Sequence, residues 1–337
     1  MKLRDTTQGV AMKTITMVGF GSWGIALACL LAKNGHKVTM WEDNPEVAVL
    51  ITADRGSKAF LPGIVIPDSV NITTNAAEVQ NADIVVFAMP SHSIARNMQL
   101  LLPHLRDGVL LISTSKGLID NKRICQYLEE IAPNCRVACM SGPSHAEEVS
   151  RQVPTAVVAA STCEVTAEVV QDVFSNDSFR VYTTCDVIGC ELGGTIKNVI
   201  ALAAGIVDGL GMGDNTKAAL MTRGSVEIAR LGVAMGAEQH TFAGLSGIGD
   251  LIVTCTSRHS RNWRAGNLLA KGYKVEQVLE EIGMVVEGIH TAKAALALAR
   301  EYAVEMPIVE EVNKVLFEGK KAEDAVRDLM IRGKKDE

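Results

Sequence analysis

Gly19-Phe-Gly-Ser-Trp-Gly24 stands between a short strand-like run, Thr14-Ile-Thr-Met-Val18, and a helix-patterned segment stopped by Asn34-Gly35. A second strand-like run, Lys37-Val-Thr-Met-Trp41, follows at once, so residues 13–41 read as strand, glycine turn, helix, strand. Each glycine has a job in such a unit. Gly19 permits the tight turn, Gly21 lets backbone N–H groups approach a pyrophosphate, and Gly24 lets the helix pack closely on the strand. Ser22 and Trp23 fill the positions nearest the ligand, and the positive helix end faces the phosphates. Glu42 follows the second strand, where a carboxylate accepts hydrogen bonds from adenosine ribose hydroxyls. With Asp43 it would repel a 2′-phosphate, which favours NAD over NADP, although cations from elsewhere leave NADP open. A tight strand–helix turn without ligand fits the glycines alone; the flanking elements and the acidic residue favour a dinucleotide.

The rhythm continues. Residues 84–88 and 109–113 read as buried strands of a parallel sheet, with a helix over 93–102 between them. Residues 136–140, 155–160 and 179–182 add three strands, and 165–174 a helix. Beyond about residue 187, Ala, Leu, Gly and Glu at helical spacing dominate from 193 to 331, and no internal repeat is visible. The predicted class is α/β: an N-terminal Rossmann-like doubly wound sheet, then an all-helical C-terminal domain. The expected division is an extension over 1–12, a dinucleotide-binding domain over 13–188 and a helical substrate and catalytic domain over 189–337.

A net charge of −6 argues against nucleic acid or an anionic membrane as the main partner, so a phosphate-bearing ligand needs a local basic pocket. No apolar run reaches the roughly 18 residues of a membrane-spanning helix. The start, MKLRDTTQGVAMK, lacks the apolar core of a signal peptide, Met12 is a possible alternative start, and the cytoplasm is the expected compartment. The eight cysteines form no CxxC pair and have no neighbouring His pair, so we expect buried reduced thiols and no metal.

Residues 187–207 are apolar and nearly uncharged, yet Lys197 stands close to their middle. Burial lowers an amine's pKa and suits it to proton transfer near neutrality; the alternative is a surface helix with Lys197 and Asn198 facing water. Four further segments carry chemistry: Ser115-Lys116-Gly117, Ser141-Gly-Pro-Ser-His-Ala146, Ser246-Gly-Ile-Gly-Asp250 and Ser257–Arg264. The last concentrates Arg258, Arg261 and Arg264, as a phosphate pocket requires. His145 is a competing base, the other histidines read as surface or core, and Asp208 and Asp214 read as a solvated helix end.

Taken in order, GFGSWG, SKG, SGPSHAEE, residues 194–215, TRG, GDLIVTC, SRN and VEG resemble the NAD(P)-dependent glycerol-3-phosphate dehydrogenases, particularly the bacterial form, over nearly the whole chain. The resemblance implies reversible hydride transfer between dihydroxyacetone phosphate and sn-glycerol 3-phosphate, supplying phospholipid synthesis, commonly in a homodimer. It makes Lys197 the general acid–base, protonating the alkoxide or taking the hydroxyl proton. Lys116, Gly142 and Ser144 line the substrate site, and Asp250 and Thr254 stand near the reacting carbon. Ser260, Arg261 and Asn262 hold the substrate and its phosphate, Arg261 as a clamp and Asn262 as a directional donor. On the cofactor side it implies Ser22, Trp23, Lys116, Ala146, Arg261, Val285 and Glu287. Phe20, His145 and Trp263 depart from the family pattern, and Trp263 bears on the basic pocket. The rival readings are a β-hydroxyacid-type dehydrogenase and a non-catalytic dinucleotide-sensing module.

Overall fold

The computed structural model describes residues 11–333, so most of the expected extension over 1–12 and the end of the C-terminal tail lie outside the described residues. Among the described residues there are ten strands: β1 Thr14–Val18, β2 Lys37–Trp41, β3 Asn71–Thr73, β4 Ile84–Phe87, β5 Leu110–Ser113, β6 Leu118–Ile119, β7 Lys122–Arg123, β8 Arg136–Ser141, β9 Thr155–Ala160 and β10 Phe179–Thr184. Helices α1 Ser22–Lys33, α2 Pro45–Asp54, α3 Ser91–Leu101, α4 Ile124–Ile131, α5 Ala146–Val149 and α6 Glu164–Phe174 alternate with them. The remainder is helical: α7 Val187–Gly209, α8 Gly213–Ala234, α9 Asp250–Thr256, α10 Arg261–Ala270, α11 Val275–Ile282, α12 Glu287–Glu301, α13 Pro307–Phe317 and α14 Ala322–Met330.

Apart from the β6–β7 hairpin, the strands form one sheet of order β10-β9-β8-β5-β4-β1-β2-β3. The order reverses between β1 and β4, which makes their carboxyl ends the crevice where such sheets take ligands. β4 and β5 are buried along their whole length, as strands covered by helices on both faces must be. One expectation is corrected: β9 runs antiparallel to β8. The single-turn helix α5 between them spans only about 6 Å against about 20 Å for a six-residue strand. With no helix long enough to run back along the sheet, β9 returns in the reverse sense. Helix α2 and strand β3 were not anticipated, although Pro45 at the helix start and the Asn44 side chain accepting from Glu46 N are ordinary start signals.

Helix α7 corrects a second expectation. It is long and apolar enough, by length and composition, to cross a membrane, but 89% of its apolar window is buried within the fold. It is the axis of the helical part. A Cβ on Gly205 would overlap the Trp263 carbonyl oxygen, and one on Gly266 the Leu202 carbonyl oxygen, so α7 and α10 touch backbone to backbone. Ile196, Val199, Ile200 and Leu202 are fully buried around this contact, each contributing on the order of 1.5–3 kcal/mol. The thiols divide unevenly: Cys125, Cys139, Cys190 and Cys255 are buried, but Cys163 and Cys185 are exposed, contrary to expectation.

Candidate active site

Strands β1, β4, β5 and β8 are parallel neighbours, so the loops after them meet at one edge of the sheet. After β1, Gly19 adopts φ +116°, and a Cβ there would lie 2.7 Å from the Ala88 carbonyl oxygen of the loop after β4. A Cβ on Gly24 would overlap the Gly19 carbonyl, which is the close helix–strand packing expected of that residue. Gly21 meets no protein atom within 4 Å, so the space before the α1 N-terminus is open to a pyrophosphate. The turn therefore fits a dinucleotide. Ser22 donates its hydroxyl to the Phe60 carbonyl at 2.7 Å, and Trp23 packs against the sheet core.

After β5, Lys116 reaches across the edge, donating to the Gly142 carbonyl at 3.1 Å and to Asp250 Oδ2 at 2.6 Å. Gly142, after β8, has φ +148° and would press a Cβ to 2.9 Å from Val157 Cα, so only glycine fits. Ser144 donates to the same carbonyl at 2.9 Å. Asp250 is delivered by a wide helical turn, Leu245–Gly249, which passes directly into α9. Wide turns of this kind are frequent at functional sites.

Lys197 is 4% exposed and faces this carboxylate rather than water. Its Nζ donates to Asp250 Oδ1 and to Thr254 Oγ1, each at 2.5 Å, and Thr254 in turn donates to the Asp250 carbonyl at 2.6 Å. One carboxylate, 1% exposed, thus bridges two ammonium groups. Burial lowers the Lys197 pKa to about 8; Asp250 pulls it up and Lys116 pushes it down. Desolvation wins a balance that composition left open.

The basic segment becomes the start of α10. Ser260 caps it, its Oγ accepting from Trp263 N at 3.2 Å. Among the described residues Arg261 commits only Nη1 to protein, donating to the Val285 carbonyl at 2.9 Å. Asn262 is largely committed: Nδ2 donates to Asn198 Oδ1 at 2.9 Å and Oδ1 accepts from Gly288 N at 2.8 Å. Its main work here is tying α10 to α7 and α12. Glu287, first residue of α12, accepts from Ser91 N at 3.0 Å and from Ser91 Oγ at 3.1 Å. That clasp joins the start of α3 to the helical part, and Gly117 lies against both partners. Ser91 was not singled out from sequence; a serine directly after a buried strand and Pro90 was its only signal.

Glu42 and Asp43 sit apart from this cluster, past the β2 end. Asp43 pairs with Arg96 at 2.7 Å, and Glu42 accepts from Asn44 N at 3.1 Å. Burial pushes Glu42 up to about 7. Ala146 is buried at the start of α5. His145 just before it has a buried Nε2 with no hydrogen-bond partner among the described residues; burial, then the charges on Lys197 and Lys116, lower its pKa. Its ring packs near His259, with centroids 5.8 Å apart. Asp208 is not a solvated helix end: it accepts from Lys217 Nζ at 2.8 and 2.9 Å and from Trp263 Nε1 at 2.6 Å. Asp214 does lie exposed in the first turn of α8. Among the described residues no group of three or more His, Cys, Asp or Glu is placed to hold a metal.

A glycine turn at the sheet's switch point, joined by loops to a lysine–carboxylate–lysine cluster whose carboxylate and Lys197 are buried, defines a dinucleotide-dependent oxidoreductase. Comparison narrows this. Family models described as the N-terminus and C-terminus of NAD-dependent glycerol-3-phosphate dehydrogenase match residues 14–167 and 186–327. The chain is 51% identical over 329 residues to glycerol-3-phosphate dehydrogenase [NAD(P)+] of Bacillus subtilis strain 168, covering 96% of this chain and 95% of that one. It is 52% identical over 323 residues to the like-named protein of Moorella thermoacetica, covering 95% and 96%. The crystal structure of glycerol-3-phosphate dehydrogenase from Coxiella burnetii superposes with a TM-score of 0.92 at 33% identity, over 95% of this chain and 99% of that one. This chain belongs to the NAD-dependent glycerol-3-phosphate dehydrogenase family.

Proposed function

We propose that the enzyme interconverts dihydroxyacetone phosphate and sn-glycerol 3-phosphate with NAD(P), with Lys197 as general acid–base. The observation that carries this is the buried Lys197 amine, held by Asp250 and Thr254 with a third donor left over. When bound, the nicotinamide supplies or takes the hydride. In reduction, protonated Lys197 stabilises the developing alkoxide and gives it a proton; in oxidation, the neutral amine takes the hydroxyl proton. Asp250 fixes the amine and keeps two cations together. Thr254 orients it, and Lys116 adds positive charge beside Gly142 and Ser144.

The substrate phosphate is read at the first turn of α10, where Arg261 keeps most of its donor fork and the helix N-terminus favours an anion. Gly19, Gly21, Ser22, Trp23, Gly24 and Ala146 line the dinucleotide side, with Val285 and Glu287 closing it across the Ser91 clasp. Glu42, beside Asp43, supports NAD over NADP. We divide the chain near Val187, where the long helix leaves the sheet edge. A homodimer, a role in phospholipid synthesis and a cytoplasmic setting complete the reading. The eight free thiols accord with a reducing compartment.

Oxidation of NADH, followed by absorbance with dihydroxyacetone phosphate and with unphosphorylated dihydroxyacetone, tests it. Turnover strongly favouring the phosphorylated ketone is expected. Turnover of 3-hydroxy acids instead, or nucleotide binding with no turnover of any small carbonyl, would overturn it.

A further inference from the structure

We infer that Trp263 is a positioning residue for the substrate phosphate, because its indole sets where the first turn of α10 stands against α7. The inference rests on the reading of that turn as the phosphate site.

Two successive residues of α10 reach α7 at separate points. Asn262 bonds Asn198, which adjoins Lys197, while Trp263 Nε1 donates to Asp208 Oδ2 at 2.6 Å near the far end of α7. Asn198 and Asp208 are about 15 Å apart along the helix. Two ties at separate heights fix both the slide and the roll of α10, which one tie cannot do. Arg261 immediately precedes them, so its direction follows from theirs.

Asp208 is itself held. Near the negative end of α7 a carboxylate is unfavourable, and Lys217 from α8 offsets it with bonds at 2.8 and 2.9 Å. The acceptor is therefore in place whether or not the indole is present. The Trp263 backbone is fixed as well: its N–H donates to the Ser260 cap, and its carbonyl lies where Gly205 allows no side chain. With Trp263 anchored by cap, carbonyl and indole, α10 has one seating on α7.

Trp263→Phe keeps an aromatic ring and removes the donor. Steady-state kinetics should show KM for dihydroxyacetone phosphate rising about tenfold, the scale of one hydrogen bond to a charged group. Neither kcat nor KM for NADH should change, and kcat/KM for unphosphorylated dihydroxyacetone should stay at the wild-type value. A purely structural role would lower both ketones together. Asp208→Asn retains an acceptor for the indole and should raise KM less, with the same selectivity for the phosphorylated substrate; it provides the measurement should Trp263→Phe not fold. Unchanged KM in these variants, or equal losses on both ketones, would overturn the inference while leaving the phosphate reading intact. A wild-type enzyme indifferent to the phosphate would instead remove that reading, and this inference with it.

Discussion

Asp250 stands between two lysines, one carboxylate oxygen 2.5 Å from Lys197 Nζ and the other 2.6 Å from Lys116 Nζ. A lone carboxylate shared this way leaves one positive charge uncompensated in a nearly dry site, and that surplus helps make the Lys197 amine titratable. With its pKa at about 8, the two directions of reaction need opposite protonation states. Oxidation of glycerol 3-phosphate should accelerate as pH rises through about 8, and ketone reduction should slow over the same interval. Initial rates in each direction between pH 6 and 10 check the sign; parallel profiles would remove the proton from Lys197.

Lys197→Ala deletes the proposed acid–base and leaves Lys116 as the ion-pair partner of Asp250 among the described residues. Turnover should fall by about two to four orders of magnitude, while NADH still binds, since the glycine turn is untouched. Rapid-quench turnover beside a fluorescence titration with NADH separates the two effects. Turnover close to wild type would exclude the assigned role.

Arg261→Ala removes a planar fork whose one hydrogen bond to protein among the described residues is to the Val285 carbonyl. KM for the phosphorylated ketone should rise at least about a hundredfold, as expected when a charge-assisted contact is lost. Guanidinium added to the assay should restore part of the loss. Little change in KM would move the phosphate to Arg258 or Arg264.

Glu42 is half-buried with its pKa pushed up to about 7 by burial. On the proposed reading of Glu42 as the ribose-side carboxylate, its charge above that pH repels a 2′-phosphate, and below it the repulsion fades. Preference for NADH over NADPH should therefore narrow as pH falls from 8 to 6, and Glu42→Gln should narrow it at every pH. The ratio of kcat/KM values for the two nucleotides measures this. A wild-type preference for NADPH would refute the lean toward NAD.

Glu227 on α8 is 3% exposed and accepts from Ile308 N and Val309 N at the start of α13, at 2.8 and 3.3 Å. Burial raises its pKa to about 7, so the folded state holds a proton that the unfolded chain has already released. Its contribution is present below the ordinary carboxylate range and is lost as pH rises through about 7. Gln keeps an acceptor without the charge. The Tm of Glu227→Gln relative to wild type should climb between pH 5 and 8, and a flat difference by calorimetry would contradict this.

Much of this was legible in the residues. The glycine turn depends largely on local geometry, because Gly19 needs a positive φ, Gly21 faces an open approach and Gly24 packs on the Gly19 carbonyl, and alternating strands and helices follow from periodicity. The wide turn before Asp250, the antiparallel return of β9 and the Ser91–Glu287 clasp left no periodic trace. They arise from how distant segments meet.

Chain order and residue type by themselves determined the sheet-first, helix-second architecture, the dinucleotide turn and a lysine in apolar company. The tertiary structure alone decided whether that lysine faced water or a carboxylate. It placed Lys197 against Asp250, more than fifty residues further along the chain, and gave Asp208 its indole and ammonium partners. The physical reason is that apolar periodicity specifies which face of a helix is buried, whereas the polar partner a buried group finds depends on which other helices close over that face.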